Sequence, residues 1–322
     1  MDIGIYVDLR NPPSWSRPWV DHYARTLELI EEAERLGAAT VWLSEHHFFE
    51  DGYLTQPLTF AAAVAARTRA IRLGTAVLLA PLRPALQIAE DAALVDLLSG
   101  GRLDLGVGVG YRVPEYSAFG VDIGRRYVLV EETIREVRRL LDGVVTPPPV
   151  QQPIPMWGGF FGPRGASLAG RLGMGLLALS PSLFEQYRAG LHEGGHDVGK
   201  ARIKAALSFV VADDPDAEWA RIRPHFAYQQ DSYRRYMVEG TGTPPPRPID
   251  PDAWRVPRAA GERAAFSVVT PPEAISLITS ATEGLPVEEI FCWASIAGMP
   301  DDLVERHVSL LCSVVAPGVA GL

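Results

Sequence analysis

The chain has 322 residues, 47% of them hydrophobic and 21% charged, which suits a folded domain of barrel size and excludes disorder or a coiled coil. A formal charge of −9 gives no electrostatic basis for tracking nucleic acid. No apolar run is long enough to cross a bilayer and the N-terminus carries no secretion signal, so no membrane partner and a cytoplasmic location are expected.

Short apolar runs alternate with amphipathic ones. Residues 3–7 read as a strand, 20–36 as a helix ended by Gly37, 40–43 as a strand and 58–66 as a helix. A strand over 71–79 follows, then a helix over 84–98 with proline at its start and Gly100-Gly101 after its end. Residues 103–109 are a strand and 125–141 a helix; a proline-rich link spans 146–155. Further strands are predicted at 154–157, 175–179, 205–211 and 289–293, with helices between them. Eight strand units separated by helices predict one α/β domain over 1–322, a (β/α)8 TIM barrel. The stretch 240–261 breaks the pattern; it is expected to be an insertion after the seventh strand, either a mobile lid or a disordered excursion.

Polar and glycine-rich clusters follow the strands, where a barrel builds its site. Ser44-Glu45-His46-His47-Phe48 ends the second strand and offers imidazoles for proton transfer, against the alternative of histidines that bond the backbone. Gly106, Gly108 and Gly110, with Tyr111, end the fourth strand; they let backbone approach a flat ligand or pack tightly in the barrel. Gly158, Gly159, Gly162, Arg164 and Gly165 lead into a helix and suit an anion, or form an ordinary loop. His192-Glu193-Gly194-Gly195-His196 matches HExxH, but its glycines end a helix, so no zinc site is read there. Cys292 and Cys312 form no CxxC pair, and no metal is expected.

With these motifs in place, the chain resembles bacterial-luciferase-like flavin-dependent oxidoreductases. The resemblance runs through residues 41–48, Asp51-Gly52-Tyr53, residues 73–79, Gln87-Ile88-Ala89-Glu90-Asp91, residues 96–102, 106–111, Glu115-Tyr116 and 119–122. It continues more weakly through Gly158-Gly159, residues 269–273 and Ala297-Gly298-Met299-Pro300. The pattern is nearest the subgroup called limonene-monooxygenase-like. The resemblance implies a flavin-dependent monooxygenase in which reduced FMN from a separate flavin reductase and O2 oxidise a small, apolar organic substrate. It assigns acid/base chemistry to His46, with Glu45 and His47 beside it. It places a non-proline cis peptide at Ala76-Val77 under the flavin ring, and Gly108, Gly110 and Tyr111 beside it. The loop from Gly158 to Gly165 would hold the phosphate, because Gly108 and Val109 stand where luciferase has a reactive cysteine and a phosphate-binding arginine. Tyr6, Asp8, Trp157 and Trp293 are expected to wall the substrate pocket, and a homodimer is expected through helices near the second and third strands. Two alternatives share the fold: hydride transfer with a deazaflavin coenzyme, and a non-catalytic flavin-binding partner subunit.

Overall fold

The computed structural model describes residues 1–160, 162–257 and 262–322. Phe161, in the expected phosphate loop, and 258–261, the end of the expected lid, lie outside the described residues. The first half runs β1 (Asp2–Val7), α1 (Trp19–Arg35), β2 (Thr40–Leu43), α2 (Pro57–Arg67), β3 (Arg72–Thr75), β4 (Leu78–Leu79), α3 (Ala85–Ser99), β5 (Leu103–Gly108), α4 (Val113–Ala118) and α5 (Arg126–Leu141). The second runs β6 (Met156–Gly158), α6 (Gly162–Arg171), β7 (Gly175–Leu176), α7 (Pro181–Glu193), β8 (Ile203–Ala206), β9 (Phe209–Val211), α8 (Pro215–Val238), β10 (Ser267–Val269), α9 (Pro271–Thr282), β11 (Val287–Trp293), α10 (Asp301–Leu310) and α11 (Ala316–Val319).

The main sheet has strand order β3-β2-β1-β11-β8-β7-β6-β5-β4, and a β3–β5 pairing closes it. The pairings are parallel, and β3 and β4 are two pieces of one interrupted strand, so the nine strands make an eight-stranded TIM barrel. The interruption is Ala76-Val77, whose peptide bond is cis, as the resemblance implies. Glycine is required where indoles fill the interior: a Cβ on Gly74 would come within 2.3 Å of the Trp42 ring, and one on Gly175 within 2.3 Å of Trp157. Both indoles are held by buried carboxylates, Trp42 Nε1 donating to Glu289 (2.7 Å) and Trp157 Nε1 to Asp104 (3.0 Å). Lys204 Nζ lies 3.0 Å from Glu289 and 3.3 Å from Asp104, so the buried charges are paired. This layer seals the barrel below its mouth.

The expected strand over 205–211 divides at Leu207 and Ser208. β8 stays in the barrel, while β9 leaves it to pair with β10. The irregular stretch therefore lies within the insertion that follows the seventh barrel strand, β8, as expected, and α8 precedes it there. Its described part runs back along α8: Ile249 N donates to Asp231 (2.8 Å), and Trp219 Nε1 donates to Asp252 (2.7 Å). It is a strap on α8, and α8 itself reaches the barrel mouth.

Candidate active site

Chain ends of three barrel strands turn sharply at the mouth. Leu9 (φ 56°), Phe48 (φ 61°) and Ala297 (φ 34°) are the described non-glycine residues with positive φ, and they follow β1, β2 and β11. Such conformations are costly for L-residues and gather where a site dictates the backbone.

His46 sits at this mouth with both ring nitrogens engaged. Nδ1 is 2.9 Å from Glu115 Oε1 and Nε2 is 3.2 Å from the Tyr111 hydroxyl. Burial raises the Glu115 carboxyl, but His46, the His47 amide and Arg112 outweigh it and hold it below the ordinary carboxylate value. An ionised Glu115 only accepts, so Nδ1 carries a proton and Nε2 is the ring nitrogen that faces the Tyr111 hydroxyl. Phe49 stacks on the imidazole at 4.9 Å, and Tyr53 meets it edge-on at 4.9 Å. Glu115 came from a distant helix, and only its place in the resembling stretch flagged it.

Glu45 and His47 turn away from His46. His47 Nε2 is 2.9 Å from Glu45 Oε1, which also accepts from Arg83 (2.6 Å), while Glu45 Oε2 accepts from the Leu79 amide (2.9 Å). The pair therefore fastens the second-strand loop to β4. Gly108 of β5 and Gly159, which follows β6, serve packing: a Cβ on Gly108 would lie 2.3 Å from Val77 Cγ2, and one on Gly159 would lie 2.2 Å from Val77 Cγ1. They let Val77 settle into the wall, where Ala76 and Val77 stay half-buried.

α6 begins at Gly162 and carries Arg164 and Gly165 in its first turn. The Arg164 guanidinium lies over the Tyr127 ring at 4.7 Å, and Arg126 approaches the same ring at 5.4 Å. Among the described residues neither arginine makes an ion pair. Arg126 is a cation the sequence reading passed over.

Tyr6 and Trp293 meet at the rim with ring centroids 4.0 Å apart and planes tilted by 36°, and the Tyr6 hydroxyl donates to the Ala76 carbonyl. Asp8 follows on the same face of β1, in a buried group with Arg10 and Asp51; Arg10 Nη2 and Asp51 Oδ2 are 2.7 Å apart. Trp157 corrects the expected pocket wall. It is fully buried in the sealing layer with Trp42 and Phe291, bound to Asp104, one layer below the rim. α8 contributes Gln229, Ser232, Tyr233 and Tyr236 along one stripe; Tyr233 bonds Tyr53 between hydroxyls at 2.9 Å. The HExxH stretch is divided: α7 ends at Glu193, Gly195 has φ 74°, and His196 bonds the Arg171 carbonyl.

The structure is a closed parallel barrel of the TIM class, with a buried imidazole–carboxylate pair, a half-buried rim and an arginine-bearing helix start gathered at its strand ends. The model of the luciferase-like monooxygenase family matches residues 1–283, and the chain belongs to that family. It is 37% identical over 117 residues to limonene 1,2-monooxygenase of Rhodococcus erythropolis, covering 36% of this chain and 30% of that protein. It is 32% identical over 184 residues to the F420-dependent glucose-6-phosphate dehydrogenase of Amycolatopsis mediterranei (strain U-32), covering 50% and 55%. The chain spans about a third of the length of most curated relatives that it matches. In fold it is similar to the monooxygenase RslO1 from Streptomyces bottropensis, with a TM-score of 0.81 at 24% identity over 98% of this chain and 99% of that one.

Proposed function

We propose that this protein is the oxygenase component of a flavin-dependent monooxygenase, which takes reduced FMN from a separate reductase and uses O2 to oxidise a small organic molecule. The observation that carries this reading is His46, with Nδ1 locked on Glu115 and Nε2 turned to Tyr111 at the barrel mouth. The residues fit an FMN-like group. Half-buried Ala76, Val77, Gly110 and Gly159 give a low, apolar wall, with Gly108 and Gly158 packed behind it, and Gly162, Arg164, Gly165 and Arg126 give a cationic end for a phosphate.

Bound there, reduced flavin supplies the electrons and the activation of O2. His46 holds or moves a proton at Nε2, and Glu115 fixes the tautomer that permits it. Tyr111 passes its hydroxyl proton within reach of the same nitrogen. Glu45, His47 and Arg83 position the loop that carries His46. Tyr6, Trp293 and the α8 tyrosines exclude water from the reacting centre. Exposed Leu86, Leu94 and Leu98 on α3 support a homodimer. Equilibrium dialysis under anaerobic conditions tests the reading: reduced FMN should bind more tightly than reduced riboflavin and than the reduced deazaflavin coenzyme. A preference for the deazaflavin would replace it with hydride transfer on the same fold.

A further inference from the structure

Among the described residues, six buried side-chain atoms have no hydrogen-bond partner: Asp8 Oδ2, Arg10 Nη1, Asp51 Oδ1, Gln229 Nε2, Arg112 Nε and Glu115 Oε2. Folded proteins pair nearly all such atoms, so an orphan calls for a missing ligand or water. These six are not scattered. Arg10 binds Asp51 through Nε (2.8 Å) and Ser232 of α8 through Nη2 (2.5 Å), and its backbone amide donates to Asp8 Oδ1 (3.2 Å). The Ser232 hydroxyl in turn donates to the Gln229 carbonyl (2.8 Å). Phe49 lies 5.4 Å from the Arg10 guanidinium and 4.7 Å from that of Arg112, which joins Glu115 at 3.2 Å. All six therefore belong to the wall between His46 and α8.

The charges in this wall limit what can complete it. Arg10 is already paired with Asp51, and Arg112 with Glu115 and Glu239, so an added carboxylate would face Asp8, Asp51 and Glu115 with both guanidiniums already matched. A hydrocarbon would leave every orphan bare. A neutral molecule with a hydroxyl to donate and a carbonyl to accept satisfies Asp8 Oδ2 and Arg10 Nη1 together. Burial pushes the Asp8 carboxyl up to about 7, against the pull of Arg10, so it can share a proton with such a hydroxyl near neutrality. The hydroxyls of Tyr6, Tyr53 and Tyr233 stand around it, each held in its protonated form by burial. The adjoining rings of Tyr6 and Trp293, tilted 36° to each other, offer aromatic faces to a flat body above.

We propose that Asp8 and Arg10, enclosed by Tyr6, Tyr53 and Tyr233, anchor the substrate, and that the substrate is a neutral hydroxy-ketone on a flat ring system in place of the apolar molecule expected from the sequence. This rests on the proposed monooxygenase reading, with the mouth as the reacting centre. The test needs no flavin and no turnover. The flavin-free protein is titrated with four probes of one shape: a hydroxy-α-tetralone, α-tetralone, β-naphthol and naphthalene, with tryptophan fluorescence as readout. The hydroxy-ketone should bind about tenfold or more tighter than either single-function probe, and these should bind tighter than naphthalene. In a folded Asp8→Leu variant, checked by circular dichroism, the advantage of the hydroxyl should vanish while that of the carbonyl persists. Equal affinities for the four probes, or no binding of any, would overturn the proposal and leave water as the occupant of the wall; the wild-type series decides this even if the variant does not fold. Reduced FMN binding is measured alongside. Flavin binding without discrimination removes the subsite and keeps the monooxygenase reading, whereas discrimination without flavin binding does the reverse.

Discussion

In the proposed mechanism His46 acts as an acid/base because Glu115 fixes a proton on Nδ1. His46→Ala should therefore lower product formation by roughly 10²-fold or more while reduced-flavin affinity changes little, measured by product yield and anaerobic titration. Unchanged yield would remove the role. Asp8 gives a stability prediction of definite sign. Its folded-state value of about 7 lies above the ordinary carboxylate value of 3.8, chiefly through burial, with Arg10 opposing it and Asp51 adding to it. The groups that face it are Arg10, Asp51, Tyr6, Tyr53 and Tyr233. The folded state thus binds the extra proton between these values, so the contribution of Asp8 to stability falls as pH rises from about 4 to about 7. Asp8→Asn should remove this contribution, so that the stability difference between variant and wild type changes across that window; a difference independent of pH would assign it elsewhere. The sequence placed His46 and Asp8 at strand ends by local pattern. It could not show their partners, because Glu115 lies 69 residues from His46 and Ser232 lies 222 residues from Arg10. Nor could it show that His47 turns to Glu45.

At the scale of elements, alternation of apolar runs predicted the barrel strands well, and β2 over 40–43 matches residue for residue. The second half was less legible. β9 is as apolar as a barrel strand, and only the pairing Val210↔Val268 shows that it has left the barrel. α8, 24 residues with Pro224 inside it, breaks the usual composition of a helix interior and was not singled out as the cover of the mouth. Two predictions belong here. A Cβ on Gly106 would lie 1.8 Å from the Thr75 carbonyl oxygen, so Gly106→Ala should destabilise by about 3 kcal/mol or more in denaturant titrations, since backbone cannot yield as a side chain can. A loss within error of zero would contradict the close approach of β3 to β5. His307 is the second. Its Nδ1 accepts from the Val211 amide at 2.9 Å and its Nε2 bonds the Trp293 carbonyl at 3.0 Å, which ties β9 and β11 to α10. Burial lowers it from 6.5 to about 4, so it is neutral in the fold and the unfolded chain binds the extra proton. Its own contribution to stability, opposite in sign to that of Asp8, should fall on acidification from about 6.5 to about 4, by up to roughly 3 kcal/mol at about 1.4 kcal/mol per unit. His307→Gln should remove that contribution from the stability difference between variant and wild type, and a difference independent of pH would reassign it.

For the whole molecule, the closed barrel places every invoked group at one end, while the Trp42–Trp157–Phe291 layer seals the other side of the site. No helix among the described residues is long and apolar enough to cross a membrane. The homodimer proposed through α3 predicts that Leu94→Glu, at an exposed position, lowers the mass seen by light scattering to that of one chain; an unchanged dimer mass would move the interface elsewhere. The central claim is that the mouth around His46 holds reduced flavin and controls its reaction with oxygen. The most direct measurement mixes the protein and reduced FMN, prepared without oxygen, with air-saturated buffer and follows flavin reoxidation and hydrogen peroxide release. The account predicts that bound flavin releases peroxide more slowly than free flavin, and that His46→Ala shortens the delay. Reoxidation indistinguishable from free FMN, with the flavin demonstrably bound, would contradict it.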